Sequence, residues 1–273
     1  MTEDTRVPFP ASAADRGDAT AAALELRAVS AGYGASAVLH DVSITVPRSS
    51  VVALLGPNGV GKTTTLRVAA GLLRPASGAV VIGGRESSKA APFRRARQGV
   101  CLIPEGRGIF RSLTVRENLE LLIPPWRKEK SIDPAVQAFP VLGQRLSQVA
   151  GSMSGGQQQQ LALARAFLSA PAVVLLDEVS MGLAPVIVDQ IFESLKLLAS
   201  TGVALVLVEQ YVSRALEMAD TAYLMARGAI AWSGPAAALD TDAITRAYLG
   251  HADQIPVAPA VGTPPGAAQR RRG

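Results

Sequence analysis

The sequence predicts an α/β fold with a mostly parallel core sheet, because short apolar runs alternate with helical stretches along most of the chain. Residues 51–55 form an uninterrupted apolar run, which is typical of a strand covered on both faces. Runs of the same kind recur at 100–103, 173–176 and 203–208. Hydrophobic residues make up 48% of the 273 residues, enough to bury the core that such a sheet needs.

Two strands precede this core, and a helix follows its first strand. Apolar residues alternate around 24–29, and Val42, Ile44 and Val46 point to one face of a second strand. Beyond residue 55, apolar residues recur at helical spacing and predict a helix. These residues are Leu66, Ala69, Ala70 and Leu73.

Two later segments complete the predicted fold. The stretch from about 111 to 168 contains little strand pattern and predicts a helical subdomain. Residues 223–225 and 230–232, joined through Arg227 and Gly228, predict a hairpin near the end of the folded part.

We expect one folded domain over residues 23–250, with a disordered extension at each end. Residues 1–22 are rich in Ala, Asp, Ser and Pro, and residues 251–273 are rich in Pro, Ala and Gly. No segment supplies the roughly 20 consecutive apolar residues of a membrane-spanning helix. The N-terminus also lacks the apolar core of a secretory signal, so we expect the protein to stay in the cytoplasm.

Composition argues against several classes of function. The single cysteine, Cys101, rules out an internal disulfide and a cysteine-based zinc cluster. The formal net charge is only +5, and much of the excess lies in short arginine runs of the kind found on solvated faces and tails. We therefore expect no nucleic-acid partner.

A glycine-rich turn after the strand at 51–55 predicts a nucleotide site. Its glycines let the backbone wind tightly and point N–H groups at phosphate oxygens, and the following helix adds its positive N-terminal dipole. Lys62 supplies a charge for the β- and γ-phosphates, and the Thr63 hydroxyl is placed to bind Mg²⁺. The predicted binding residues, here called the phosphate loop, are Gly56, Pro57, Asn58, Gly59, Val60, Gly61, Lys62, Thr63 and Thr64.

Two adjacent carboxylates end the strand at 173–176. Asp177 is placed to hold Mg²⁺, directly or through water, because it lies at the tip of a strand beside the phosphate loop. Glu178 would accept a proton from the water that attacks the γ-phosphate, or orient that water. The Asn-Lys-x-Asp stretch of a guanine-reading switch protein is missing from the sequence. A small-molecule kinase would tolerate the phosphate loop.

A Ser-Gly-Gly-Gln stretch at residues 154–157 precedes an apolar helix shortly before Asp177. It resembles the signature motif of ABC ATPases, and the resemblance covers about residues 24–250. The start of such a helix is a second phosphate-binding device. The resemblance implies that Ser154, Gly155, Gly156 and Gln157, here called the signature segment, bind the γ-phosphate of ATP held by an opposite subunit. It also implies a P-loop NTPase fold with an N-terminal antiparallel β subdomain and a helical signature subdomain.

Further residues take roles from the same resemblance. Tyr33 matches the aromatic residue that stacks on adenine. Glu105 stands where most of the family has Gln, in the loop that senses Mg²⁺ and contacts the membrane subunit. Gln210 occupies the place of the usual switch histidine, and its amide can hydrogen-bond the γ-phosphate or water although it cannot take up a proton. Val179 and Ala184 replace the usual Pro and Asp.

The variants Pro-Glu-Gly-Arg at 104–107, Val-Glu-Gln at 208–210 and Gly-Leu-Ala-Pro at 182–185 resemble one subfamily. It is the second ATPase of branched-chain amino-acid importers, whose close relatives handle urea and short amides. This likeness implies a second ATPase subunit, identical or different, two integral membrane permease subunits and, indirectly, an extracytoplasmic solute-binding protein. It places the chain at the cytoplasmic face of the membrane.

Three other functions compete with the importer ATPase. One is an exporter motor for lipid or lipopolysaccharide. Another is a soluble ABC ATPase of DNA repair or translation, although the sequence has neither the long coiled coils nor the paired ATPase halves of those proteins. A third is a regulatory nucleotide sensor with little turnover.

Overall fold

The computed structural model describes residues 22–239, and every structural statement below concerns that part of the chain. Apart from Ala22, the predicted extensions 1–22 and 251–273 lie outside it, as do residues 240–250 of the predicted domain. The described chain forms two sheets with helices, which confirms the predicted α/β fold. None of its helices combines the length and apolar character that a membrane span requires.

The first sheet is antiparallel and has the strand order β2-β1-β4-β5. Val42, Ile44 and Val46 are all buried, as their alternation predicted. The sequence analysis did not predict β4 and β5, because β4 is exposed at its first residues and carries only a short apolar run. The strands are β1 (Leu24–Tyr33), β2 (Ser36–Val46), β4 (Ser77–Ile82) and β5 (Arg85–Glu86).

The second sheet has the order β10-β9-β3-β8-β7-β6 and is parallel except for the final β9–β10 hairpin. The strands are β3 (Val51–Leu55), β6 (Val100–Ile103), β7 (Val173–Asp177), β8 (Ala204–Val208), β9 (Thr221–Ala226) and β10 (Ala229–Pro235).

Both faces of this sheet are covered. Val173 and Leu175 of β7 pack into a core that they share with the antiparallel sheet. Val174 and Leu176 point the other way, into a core shared with the helices that follow β6 and β7. The uninterrupted apolar runs in the sequence therefore reflect burial on two sides.

The first helix is shorter than its periodicity suggested. It ends at Ala70 because Gly71 adopts a left-handed conformation (φ 81°) and its N–H donates to the carbonyls of Arg67 and Val68. Leu73, which the helical pattern included, lies beyond it. The helices are α1 (Lys62–Ala70), α2 (Pro92–Arg97), α3 (Val115–Leu122), α4 (Asp133–Ala138), α5 (Pro140–Gly143), α6 (Gly155–Ser169), α7 (Pro185–Ser200) and α8 (Val212–Met218).

Helices α3 to α6 follow one another without an intervening strand in the described chain, and they occupy the stretch for which a helical subdomain was predicted. Phe139 and Phe167 meet edge to face at 5.4 Å in the core of this region. The division into a separate subdomain stays a prediction.

Candidate functional site

The site lies at the carboxyl edge of the parallel sheet. Strands β3, β6, β7 and β8 run in the same direction, so the loops that leave them meet at one edge. The phosphate loop follows β3, Glu105 follows β6, Glu178 follows β7 and Gln210 follows β8. A cavity of about 320 Å³ opens there. It is lined by Asn58, Gly59, Gly61, Lys62, Thr63, Thr64, Glu105, Glu178 and Met181.

The backbone conformation requires glycine at two positions of the phosphate loop. Gly56 has φ 143°, and a Cβ there would lie 2.5 Å from the carbonyl oxygen of Met225. Gly61 has φ 113° and precedes the first residue of α1, so the helix begins with its N-terminus at the cavity. A helix N-terminus in such a position favours a bound anion.

Lys62 is buried at the start of α1, with 6% of its surface exposed. Its Nζ donates to the carbonyl oxygens of Gly56 (2.7 Å) and Pro57 (3.0 Å). Burial lowers the pKa of Lys62, and the nearby carboxylates of Glu178 and Asp177 oppose that shift. The ammonium group is thus held over the loop, where it can meet a phosphate.

The donor set for a cation is present. The Thr63 hydroxyl donates to Asp177 Oδ1 at 3.0 Å. Burial raises the pKa of Asp177, while the hydrogen bond from Thr63 lowers it. A hydroxyl and a carboxylate that already touch fit Mg²⁺, which takes hard oxygen ligands and completes its shell with phosphates and water.

Glu178 and Gln210 meet across the ends of two neighbouring strands. Glu178 has a left-handed backbone (φ 49°), and its N–H donates to the carbonyl of Val208 at 2.8 Å. Gln210 Nε2 lies 3.4 Å from Glu178 Oε2 and 3.4 Å from Met181 Sδ. The carboxylate therefore lines the cavity with a side-chain amide beside it, an arrangement that can accept a proton from water and orient that water.

The sequence analysis assigned no role to Glu209, which lies directly behind the site. It is buried (1% exposed), and the Ser180 hydroxyl donates to its Oε2, while its Oε1 has no hydrogen-bond partner. Burial raises the pKa of Glu209 to about 7, although the hydrogen bonds from Ser180 lower it and Glu178 raises it further. The sequence signal that could have identified Glu209 was a carboxylate directly after an apolar strand and beside Gln210.

Tyr33 and the signature segment do not line this cavity. Tyr33 is 46% exposed, and its hydroxyl accepts a hydrogen bond from Arg67 of α1 at 3.1 Å. Ser154 and Gln157 form a capping box: the Gln157 N–H donates to Ser154 Oγ, and the Ser154 N–H donates to Gln157 Oε1. Within one chain, the signature segment therefore takes no part in lining the cavity at the phosphate loop.

Comparison with known proteins identifies the family. A model of the ABC transporter family matches residues 39–181, which is more than half of the chain. The chain belongs to the ABC transporter family. The match includes the phosphate loop, the signature segment and both carboxylates at the end of β7.

Three relatives of this ABC ATPase illustrate the range of similarity. The high-affinity branched-chain amino acid transport ATP-binding protein BraG of Pseudomonas aeruginosa is 42% identical, over 81% of this chain and 97% of that protein. The lipopolysaccharide export system ATP-binding protein LptB of Haemophilus influenzae is 34% identical, over 80% and 93%. The solved ADP conformation of an ATP-binding cassette from an ABC transporter has a TM-score of 0.71 at 25% identity, over 84% and 96%.

These similarities confirm the predicted family, the α/β fold class and the ATP-hydrolysing activity. The chain binds a nucleotide and serves as the ATP-binding subunit of a transporter.

Proposed function

We propose that this ABC ATPase is the motor of an importer for branched-chain amino acids, working with Mg²⁺. The observation that carries the ATPase part is the convergence of Lys62, the Thr63–Asp177 pair and Glu178 at one cavity. The solute class rests on the 42% identity to BraG over nearly its whole length, against 34% to LptB. The departures at 104–107 and 208–210 support the same choice.

Each residue then has a chemical task. The N–H groups of the phosphate loop and Lys62 would hold the phosphates, and Thr63 and Asp177 would hold Mg²⁺. When bound, Mg²⁺ would neutralise charge at the phosphates. Glu178 accepts a proton from the attacking water, and Gln210 orients that water through its amide. Glu105 lines the same cavity, where it would sense the bound metal ion. Tyr33 would stack on adenine from the side of α1.

A second ATPase subunit completes the site in this proposal. The signature segment begins α6 with a capping box and does not line the chain's own nucleotide cavity, which suits contact with ATP held by another subunit. Each ATP would then join two chains head to tail. The second subunit is either another copy of this chain or a different ATPase.

The permease subunits would bind an apolar groove of about 460 Å³ between α2 and α3. Phe93 and Leu121 line it and are 60% and 59% exposed, which is unusual for side chains so large and apolar. Pro104, which also lines the groove, directly precedes Glu105 at the nucleotide cavity. Permease contact would hold the chain at the cytoplasmic face of the membrane, and the extracytoplasmic solute-binding protein would act through the permeases.

The first test replaces the proposed base. Glu178→Gln, measured in the complex that co-purifies with the tagged chain, should lower phosphate release at least about 100-fold and leave ATP affinity within about twofold, because only proton transfer is lost. Lys62→Ala should instead weaken ATP binding sharply. Arg116→Ala on α3, an exposed arginine, serves as the control. An unchanged rate in Glu178→Gln would refute the assignment of the base, and an unchanged affinity in Lys62→Ala would refute that of the phosphate loop.

A further inference from the structure

Arg107 has a backbone conformation that is costly for an arginine. Its φ is 73°, between Gly106 at 82° and Gly108 at 63°. A non-glycine residue in this left-handed region is strained and persists only where its surroundings hold it. The Arg107 N–H donates to the carbonyl of Pro104 at 3.3 Å, and the Gly108 N–H donates to that of Gly106 at 2.9 Å. These local bonds fit any residue, so the reason for arginine lies in its side chain.

The side chain reaches the helix that carries the signature segment. Arg107 Nη1 donates to Oε1 of Gln158, which is buried in the first turn of α6 with 4% of its surface exposed. The Gln158 Nε2 donates to the carbonyls of Ala150 (3.0 Å), Met153 (3.2 Å) and Gly151 (3.3 Å). Because these carbonyls require the amide nitrogen, the orientation of Gln158 is settled and its oxygen must face Arg107.

The guanidinium also lies against Gly155, the first residue of α6. A Cβ added there would be 3.1 Å from Arg107 Nη2 and 3.8 Å from its Cζ. A cation at this place opposes the helix dipole, which favours negative charge at an N-terminus. Among residues 22–239, no carboxylate forms an ion pair with Arg107. Neither the helix dipole nor an ion pair therefore explains the contact.

We propose that Arg107 is a positioning residue that ties the loop at 105–108 to the signature segment. The loop begins with Glu105 at the chain's own nucleotide cavity, and α6 begins with the residues that would face the nucleotide of a second subunit. Acting through Gln158, Arg107 holds these two places at a set distance. The inference rests on the proposed function, in which both places serve one hydrolysis cycle.

Loss of this tie should affect turnover and spare binding. Lys62 donates to the carbonyl oxygens of Gly56 and Pro57 and has no hydrogen bond to Arg107, so the KM for ATP should stay within about twofold. A misplaced signature segment disturbs the geometry at which the second subunit's ATP reacts, and misplacements of about 1 Å cost up to about 100-fold in rate.

The test compares four single variants, one double variant and one control in the complex that co-purifies with the full chain. Arg107→Ala should lower kcat at least tenfold with little change in KM. Arg107→Gly should show the same loss, although glycine suits the positive φ and removes the backbone strain. Arg107→Lys keeps a cation that can donate to Gln158, and should restore kcat to within about threefold of the wild type. In a Gln158→Ala background, which lacks the acceptor for Arg107, adding Arg107→Ala should cause no further loss of kcat. Arg116→Ala is the matched control.

Wild-type kcat in both Arg107→Ala and Arg107→Gly would overturn the inference, as would a loss confined to KM. If the unmodified complex itself releases no phosphate from ATP, the proposed function fails instead. The two failures are therefore distinguishable in one set of measurements.

Discussion

At the scale of single residues, buried carboxylates behind the phosphate loop set the electrostatics of the site. Asp177 and Glu209 are 3% and 1% exposed, at the ends of neighbouring strands. Burial raises the pKa of each. Asp177 is near the place for a cation, whereas Glu209 accepts only from Ser180 and neighbouring N–H groups. Only Asp177 therefore has the position of a cation ligand.

Glu209 should make the protein less stable as pH rises. Its pKa increases from 4.5 to about 7 on folding, so the folded state binds the proton more tightly and stability is lost between these values. Glu209→Gln keeps an acceptor for Ser180 without charge, and should raise the free energy of unfolding by up to about 3 kcal/mol at pH 8, with much less gain at pH 5. Urea unfolding of the full chain at both pH values measures this. Exposed Glu129→Gln is the control, and an equal change at both pH values would contradict the prediction.

At the scale of elements, two helices begin with the same device but serve different ends. Thr114 and Glu117 form a capping box at α3, as Ser154 and Gln157 do at α6. In α3 the box lies away from the nucleotide cavity, while in α6 it is part of the signature segment. Comparing variants of these two capping boxes therefore separates the effect of a cap on stability from its effect on turnover.

Thr114→Ala and Ser154→Ala should each cost about 1 kcal/mol of stability, because each removes an acceptor for the N–H three residues later. Only Ser154→Ala should also reduce the kcat for ATP in the complex, since its hydroxyl would face the second subunit's γ-phosphate. Denaturant unfolding and phosphate release measure the two effects. Equal turnover in both variants would argue against a role for the signature segment in the reaction.

At the scale of the whole molecule, the core sheet is covered on both of its faces. The antiparallel sheet covers one face of the core sheet, and helices cover the other. The nucleotide cavity lies at the carboxyl edge of the core sheet, and the apolar groove lies beside α2 and α3. In the proposed function, hydrolysis and permease binding would therefore occupy separate surfaces that are joined through the loop at 104–108.

Phe93→Asp should therefore abolish recovery of permease-like proteins with the tagged chain while leaving nucleotide binding intact, because a charge in an apolar contact is costly to bury. Leu197→Asp, an exposed apolar residue of α7 outside the groove, is the control. The measurement is co-purification from membranes in mild detergent. Undiminished recovery with Phe93→Asp would exclude the groove as the docking surface, and recovery of only ribosomes or nucleic acid with the wild type would overturn the transport proposal.

The sequence by itself determined the core sheet and the family, and it predicted the phosphate loop. The apolar runs at 51–55, 100–103 and 173–176 lie in β3, β6 and β7, because a strand that is buried on both faces has apolar residues at consecutive positions. The phosphate loop could be predicted because its tight turn needs glycines at set positions. The end of α1 could not be predicted from its apolar pattern, because Gly71 ends the helix before that pattern ends.

Only the tertiary structure decided which distant side chains meet. The Ser180–Glu209 contact and the Arg107–Gln158 contact join residues 29 and 51 positions apart, and no local pattern specifies them. They arise because parallel strands bring their loops to one edge and because packing fixes which way each side chain points. A motif is visible in the sequence because the backbone of a single segment requires it. The pairing of distant segments depends instead on the hydrophobic core that they share.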